Sequence, residues 1–144
     1  MAASRFACAS PTMLHDCIRS AASTFGHPVP LVRAVVEQES GGRCTPRHAT
    51  NRNGTYDIGC MGINSSWLPM LTRRFGITER HLLDPCTNIH VGAWILAHNI
   101  ALHGNTWQAV GAYNATTEAK RVRYAHRIAT RMATVPASTH QGAR

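Results

Sequence analysis

Acidic residues are scarce in this sequence. Seven Asp and Glu stand against fifteen Lys and Arg, a formal charge of +8 over 144 residues. Attraction to polyanions is therefore expected. Nucleic acid, anionic lipid and bacterial cell wall all qualify, and charge does not choose among them. Long apolar runs are also missing. The longest, around Leu31–Val36 and Ile89–Leu102, are broken by Arg, His, Gly and Asn, and neither matches the roughly 20 residues of a membrane span. No alternating pattern marks a convincing strand. No GxSxG, Walker A or HExxH motif occurs, no CxxC pair and no zinc-finger spacing. Met1–Ser10, MAASRFACAS, has neither a full basic region nor the apolar stretch of about 7–15 residues of a secretory signal. A trimmed signal, a late start and another export route all fit.

Hydrophobic residues make up 44 % of the chain, a globular composition large enough for one core. The pattern is helical with short breaks, and all-α. A first helix is expected over Pro11–Phe25, closed by Gly26. A second starts at Pro28-Val29-Pro30 and stops at Gly41-Gly42, with Leu31, Val32, Val35 and Val36 at helical spacing. The polar stretch Arg43–Gly59 reads as a long loop or a short hairpin around Asn53-Gly54, and long ordered loops are usually functional. Ser65 or Ser66 is expected to cap a short helix through Phe75. Asp84-Pro85 and Thr87 or Asn88 open another to Leu102, and Asn105 or Thr106 caps a short one through Tyr113. A last helix spans about Thr117–Met132. The domain is expected over 11–135, with a loose N-terminus at 1–10 and a flexible tail at 136–144.

Few carboxylates make elimination possible. Glu118 suits a first helical turn. Asp84 precedes Pro85 in a turn, Glu79 reads as solvated, and Asp16 lies on a helix surface. Glu37 and Glu39 are about 200° apart around their helix and face different ways. Glu39 ends that helix at the mouth of the long loop, and Asp57 lies in the loop. A carboxyl against apolar surface has a raised pKa and donates a proton near neutrality, as a glycosidase acid must. On position alone the plainer alternative is a solvated Glu at a helix C-terminus. Nine scattered histidines read as mostly surface residues. Lys120, Arg123, Arg127 and Arg131 form a basic stripe, either a solvated face or a surface for wall or nucleic acid. Five cysteines lean toward an oxidising compartment with one or two disulfides and an odd thiol, against small buried reduced residues.

Three motifs carry a family resemblance. VPLVRAVVEQESGG resembles the first motif of family 1 lytic transglycosylases, a helix ending in Glu-Ser with Glu as the acid. YDIGCMGINSSWLPML looks like the second, usually Gly-Leu-Met-Gln-Ile, and AVGAYNA like the third, an Ala-Tyr-Asn. NRNGTYDIG, DPCTNIHVGAWIL and GNTWQAVGAYNA resemble the specialised subgroup tied to type III secretion, conjugation and type IV pili (IagB/IpgF and VirB-type enzymes). The match covers about residues 17–132 in order.

The resemblance implies a lysozyme-like fold and cleavage of the MurNAc–GlcNAc β-1,4 bond in peptidoglycan. Glu39 would protonate the leaving oxygen, then accept the proton of the MurNAc C6 hydroxyl, giving a 1,6-anhydro end. Ser40, Asp57, Met61, Ile63, Asn64, Tyr113 and Asn114 are the implied substrate contacts, with the Tyr113 hydroxyl in reach of Glu39. No metal or cofactor is implied. The partners are glycan strands and a secretion, conjugation or pilus apparatus in the periplasm, with no nucleic acid and no membrane span. The subgroup also implies a disulfide between Cys17 and Cys86. Cys44 and Cys60 bracket the loop as a second possible pair, Cys60 alternatively packing in the core, and Cys8 is left as the odd thiol. Against the family pattern, Cys60 replaces Leu and Gly62 replaces Gln, so the usual amide beside the acid is missing. Two alternatives stay open. One is a hydrolytic muramidase with Asp57 as second carboxylate. The other is a non-enzymatic cationic binder using the last helix.

Overall fold

The computed structural model describes residues 9–134. Most of the expected loose N-terminus, the tail at 136–144 and Cys8 lie outside the described residues. Ser10 is inside them, and its hydroxyl accepts from Met13 N, capping the first helix.

Helix α1 runs Pro11–Phe25 and α2 Val29–Ser40, closed by Gly26 and Gly41 as expected. Leu14, Cys17, Ile18, Ala21 and Ala22 form the buried stripe of α1. Ala21 and Ala22 are fully buried, and such small side chains let α1 pack closely on α5, Pro85–His103. Helix α5 is the centre of the molecule. It buries Asn88, Ile89, Val91, Gly92, Ala93, Ile95, Leu96 and Asn99, more than one face, because neighbours cover it on several sides. It begins at Pro85, and Asp84 is its cap, accepting from Thr87 N. Between α2 and α5 lie a 3-10 turn at Ser65–Trp67, α3 at Leu68–Phe75 and α4 at Glu79–Leu82. The cap of that turn is Asn64, not Ser65 or Ser66. Helices α6, Trp107–Gly111, and α7, Glu118–Ala133, complete the chain. α7 packs on α2 and α6.

The hairpin forms later than expected. Strand β1, Asp57–Ile58, pairs antiparallel with β2, Ile63–Asn64, with Asp57 opposite Asn64 and Ile58 opposite Ile63. Asn53-Gly54 makes only a tight turn inside the loop, with Asn51 N donating to Thr55 O. A fully buried side chain from α5 holds the real hairpin. Asn88 Nδ2 donates to Ile58 O at 2.9 Å and to Leu82 O at 3.0 Å, and its Oδ1 accepts from Met61 N at 2.8 Å. Gly59 is required beside it, because any Cβ there would collide with the Asn88 amide.

Two cystines staple the fold. Cys17 of α1 joins Cys86 in the first turn of α5, their Cα atoms 5.1 Å apart. Cys44 joins Cys60, so Cys60 is both fully buried and bonded. No described histidine is buried, and the half-buried ones have partners. His27 bonds Ala93 O, His48 bonds Gly59 O, and His98 stacks on Trp94. Glu79 is not a free turn residue either. It opens α4 and takes a bidentate pair from Arg47 at 2.9 and 3.0 Å.

Candidate active site

Side chains drawn from the 51–67 and 112–121 segments form two walls of a cleft of about 630 Å³, and Glu39 lies between them. The lining is mostly polar, with Asn51, Asn53, Thr55, Asn64, Ser66, Asn114 and Thr116, plus the rings of Trp67 and Tyr113. Such a mixture suits sugar hydroxyls and sugar faces. A slightly larger hollow of about 690 Å³ lies by the C-terminal end of α5, between His27, Trp107 and Met132. It is lined by no carboxylate, whereas the first cleft holds Glu39 and Asp57.

Glu39 reaches the cleft because α2 ends there. The apolar face of that helix is buried and Gly41 turns the chain away. Glu39 Oε1 accepts from the Tyr124 hydroxyl of α7 at 2.7 Å. Burial pushes its carboxyl from the ordinary 4.5 up to about 7. The Tyr124 hydrogen bond pulls the other way, and the nearby Asp57 charge adds to the rise. A carboxyl of this kind is protonated in a large fraction of molecules near neutral pH and ionises readily, as a group that must both give and take a proton requires. Burial also holds the Tyr113 and Tyr124 phenols well above their usual range, with Glu39's charge adding, so both stay neutral donors.

Position 62 closes against the acid. A Cβ on Gly62 would lie 2.8 Å from Glu39 Oε2, and the backbone there has φ +57°. The second motif thus needs a glycine in this chain where the family pattern has Gln.

The residues expected at the site divide into two groups. Asp57, Asn64, Tyr113 and Asn114 line the cleft with Glu39. Asn64 Nδ2 donates to Asp57 Oδ1 and to Thr55 Oγ1, both at 3.0 Å, which fixes the Asp57 carboxylate in the wall. Met61, Ile63 and Ser40 do not line it. Met61 and Ile63 are buried in the core, since β2 alternates its side chains and the turn before it tucks Met61 against Gly92 of α5. Ser40 Oγ donates to Cys60 O at 2.8 Å and accepts from Gly42 N, tying the end of α2 to the hairpin turn. The Tyr113 hydroxyl donates to Met61 O at 2.7 Å and not to Glu39. Its ring stacks on Tyr124, centroids 6.3 Å apart. Tyr124 makes the contact expected of Tyr113. The sequence hides it inside a basic helix: Tyr124 stands four residues after Lys120 and three before Arg127, on the same side of α7 as the basic stripe, so no spacing signal sets it apart.

A profile described as Transglycosylase SLT domain matches residues 16–131. Invasion protein IagB of Salmonella typhimurium is 41 % identical over 118 residues, 78 % of this chain and 72 % of that protein. Protein IpgF of Shigella flexneri is 35 % identical over 134 residues, 90 % of this chain and 87 % of that protein. Among solved structures, an inactive mutant of the lytic transglycosylase Slt from Pseudomonas aeruginosa superposes with a TM-score of 0.66 at 21 % identity. That alignment covers 85 % of this chain and 24 % of the other, and it shows a shared lysozyme-like fold.

Proposed function

The chain belongs to the SLT transglycosylase family and is a peptidoglycan lytic transglycosylase; from that premise we propose that Glu39 cleaves the MurNAc–GlcNAc β-1,4 bond as acid and then base, leaving a 1,6-anhydroMurNAc end. One observation carries the assignment. Glu39 is the carboxyl raised to about 7 by burial, and it lines a sugar-sized polar cleft.

In its protonated form Glu39 gives its proton to the glycosidic oxygen as the C1–O bond breaks. The carboxylate left behind takes the proton of the MurNAc C6 hydroxyl, whose oxygen closes on C1. Protons balance, no water is consumed, and Glu39 ends protonated for the next turnover. Tyr124 supports the ionised half of the cycle by donating to Oε1. Tyr113 holds the Met61 carbonyl and presents its ring to the cleft. Asn64, Asn114 and Asp57 are the proposed sugar contacts. The first test is Glu39→Gln on isolated sacculi. Loss of muropeptide release is expected, and near-parent activity would remove Glu39 from this role.

Asp57, a second carboxylate in the same cleft, favours one further reading, hydrolysis by an activated water. The products separate the two, reducing ends against anhydro ends. We place the action in the periplasm, as a local opening of the wall for a secretion, conjugation or pilus machine. The likeness to an invasion protein and the two cystines support this. Among the described residues no helix is long and apolar enough to cross a membrane.

A further inference from the structure

Three cations line the same cleft as Glu39. They are Arg52 on the loop wall and Lys120 and Arg121 on the facing wall. Among the described residues none of them is in an ion pair, the one such pair being Arg47 with Glu79. Arg121 is the most constrained. It is half-buried, its Nε donates to Ala115 O at 2.9 Å, and its Cβ and backbone press on Gly111. A guanidinium already held at one nitrogen loses less freedom when its remaining donors bind an anion. Arg52 and Lys120 are exposed and add field without fixed geometry.

A neutral glycan offers these groups little. GlcNAc and MurNAc rings present hydroxyls and amides to the cleft, whereas the charges of peptidoglycan sit on the lactyl branch of MurNAc. That branch carries a peptide stem with free carboxylates, or a free lactyl acid once the stem is removed. We infer that Arg121, with Lys120 and Arg52, forms a receptor for the carboxylates of the MurNAc branch and sets which strands are cut. The inference rests on the glycan-cleaving reading above and names a determinant of specificity within it. Charge-assisted bonds from a fixed Arg to such a carboxylate are strong enough to set preference between strands.

The experiment uses three substrates made from one batch of sacculi. The first is native. In the second, all carboxylates are blocked by chemical amidation. In the third, an amidase has removed the stems. The parent enzyme is expected to cut native sacculi about tenfold faster, in kcat/KM, than blocked sacculi. In Arg121→Gln, Arg52→Gln and Lys120→Gln the ratio of native to blocked rates should fall toward one, the change lying mainly in KM. Arg73→Gln, an exposed cation of α3 outside the cleft, should keep the parent ratio and so controls for net charge. Melting temperatures of all variants identify any loss through unfolding, and the two exposed positions keep the test open if Arg121→Gln is unstable. The stripped substrate assigns the source. A low rate points to stem carboxylates and a native-like rate to the lactyl acid. Equal parent rates on native and blocked sacculi would overturn the inference while leaving the cleavage reading intact. No release from any substrate would instead sink the cleavage reading itself.

Discussion

Replacing the carboxyl of Glu39 alters stability as well as chemistry, and the sign is fixed by its pKa. The folded value of about 7 lies above the ordinary 4.5. Below pH 4.5 the group is neutral in both folded and unfolded chains and has no effect. As pH rises from 4.5 toward 7 the unfolded chain ionises first, so stability falls. Above about 7 the loss levels off near 3 kcal/mol. Melting curves of the parent and Glu39→Gln should therefore coincide at pH 4, with the Gln variant the more stable at pH 8. A constant difference across that range would mean that Glu39 is not desolvated. Tyr124→Phe removes the hydrogen bond that lowers the Glu39 pKa. The alkaline limb of the pH–rate profile should move to higher pH, and a shift the other way would contradict the geometry. Gly62→Gln introduces the family's usual amide, yet it places a Cβ 2.8 Å from Glu39 Oε2 at φ +57°. Activity on sacculi should fall at least about tenfold, and a gain would show that the missing amide limits this enzyme.

Elements with strong local signals were legible in the sequence, and those fixed by distant contacts were not. Ser10-Pro11 and Gly26 mark α1, and the proline pair and Gly41 mark α2, because capping is a property of neighbouring residues. The hairpin was misplaced because Asn53-Gly54 is the strongest turn signal nearby, while strands of two residues have no periodicity to read. Their position depends on Asn88, which reaches back 27 and 30 residues to Met61 and Ile58. The same limit explains Tyr124, whose bond to Glu39 spans 85 residues and arises only when α7 packs on α2. It also explains Met61 and Ile63, which belong to a site motif in the sequence but to the core in space. Asn88→Ala would leave Ile58 O, Leu82 O and Met61 N without this partner in a dry interior. Stability should fall by about 3 kcal/mol in urea denaturation. A loss under about 1 kcal/mol would mean the hairpin is held by other contacts.

At the scale of the whole molecule, α1 and α5 are joined covalently across 69 residues by Cys17 and Cys86. Closing a loop of that length stabilises by about 4 kcal/mol in the chain-entropy model. The Cys17→Ser, Cys86→Ser double variant should lose stability of that order while keeping its fold at low temperature, as followed by circular dichroism. An unchanged melting temperature would remove this cystine as a staple. The cleft itself needs every layer at once. Helix α2 brings the acid, α7 its phenol, the hairpin the glycine that approaches it, and α5 the amide that holds the hairpin. The most direct measurement of what this arrangement does is mass spectrometry of products from purified peptidoglycan, digested by the parent protein and by Glu39→Gln. Products ending in 1,6-anhydroMurNAc with the parent, and none with the variant, are expected. Reducing MurNAc ends from the parent, or undiminished cleavage by Glu39→Gln, would contradict the assignment of Glu39 as the single acid and base.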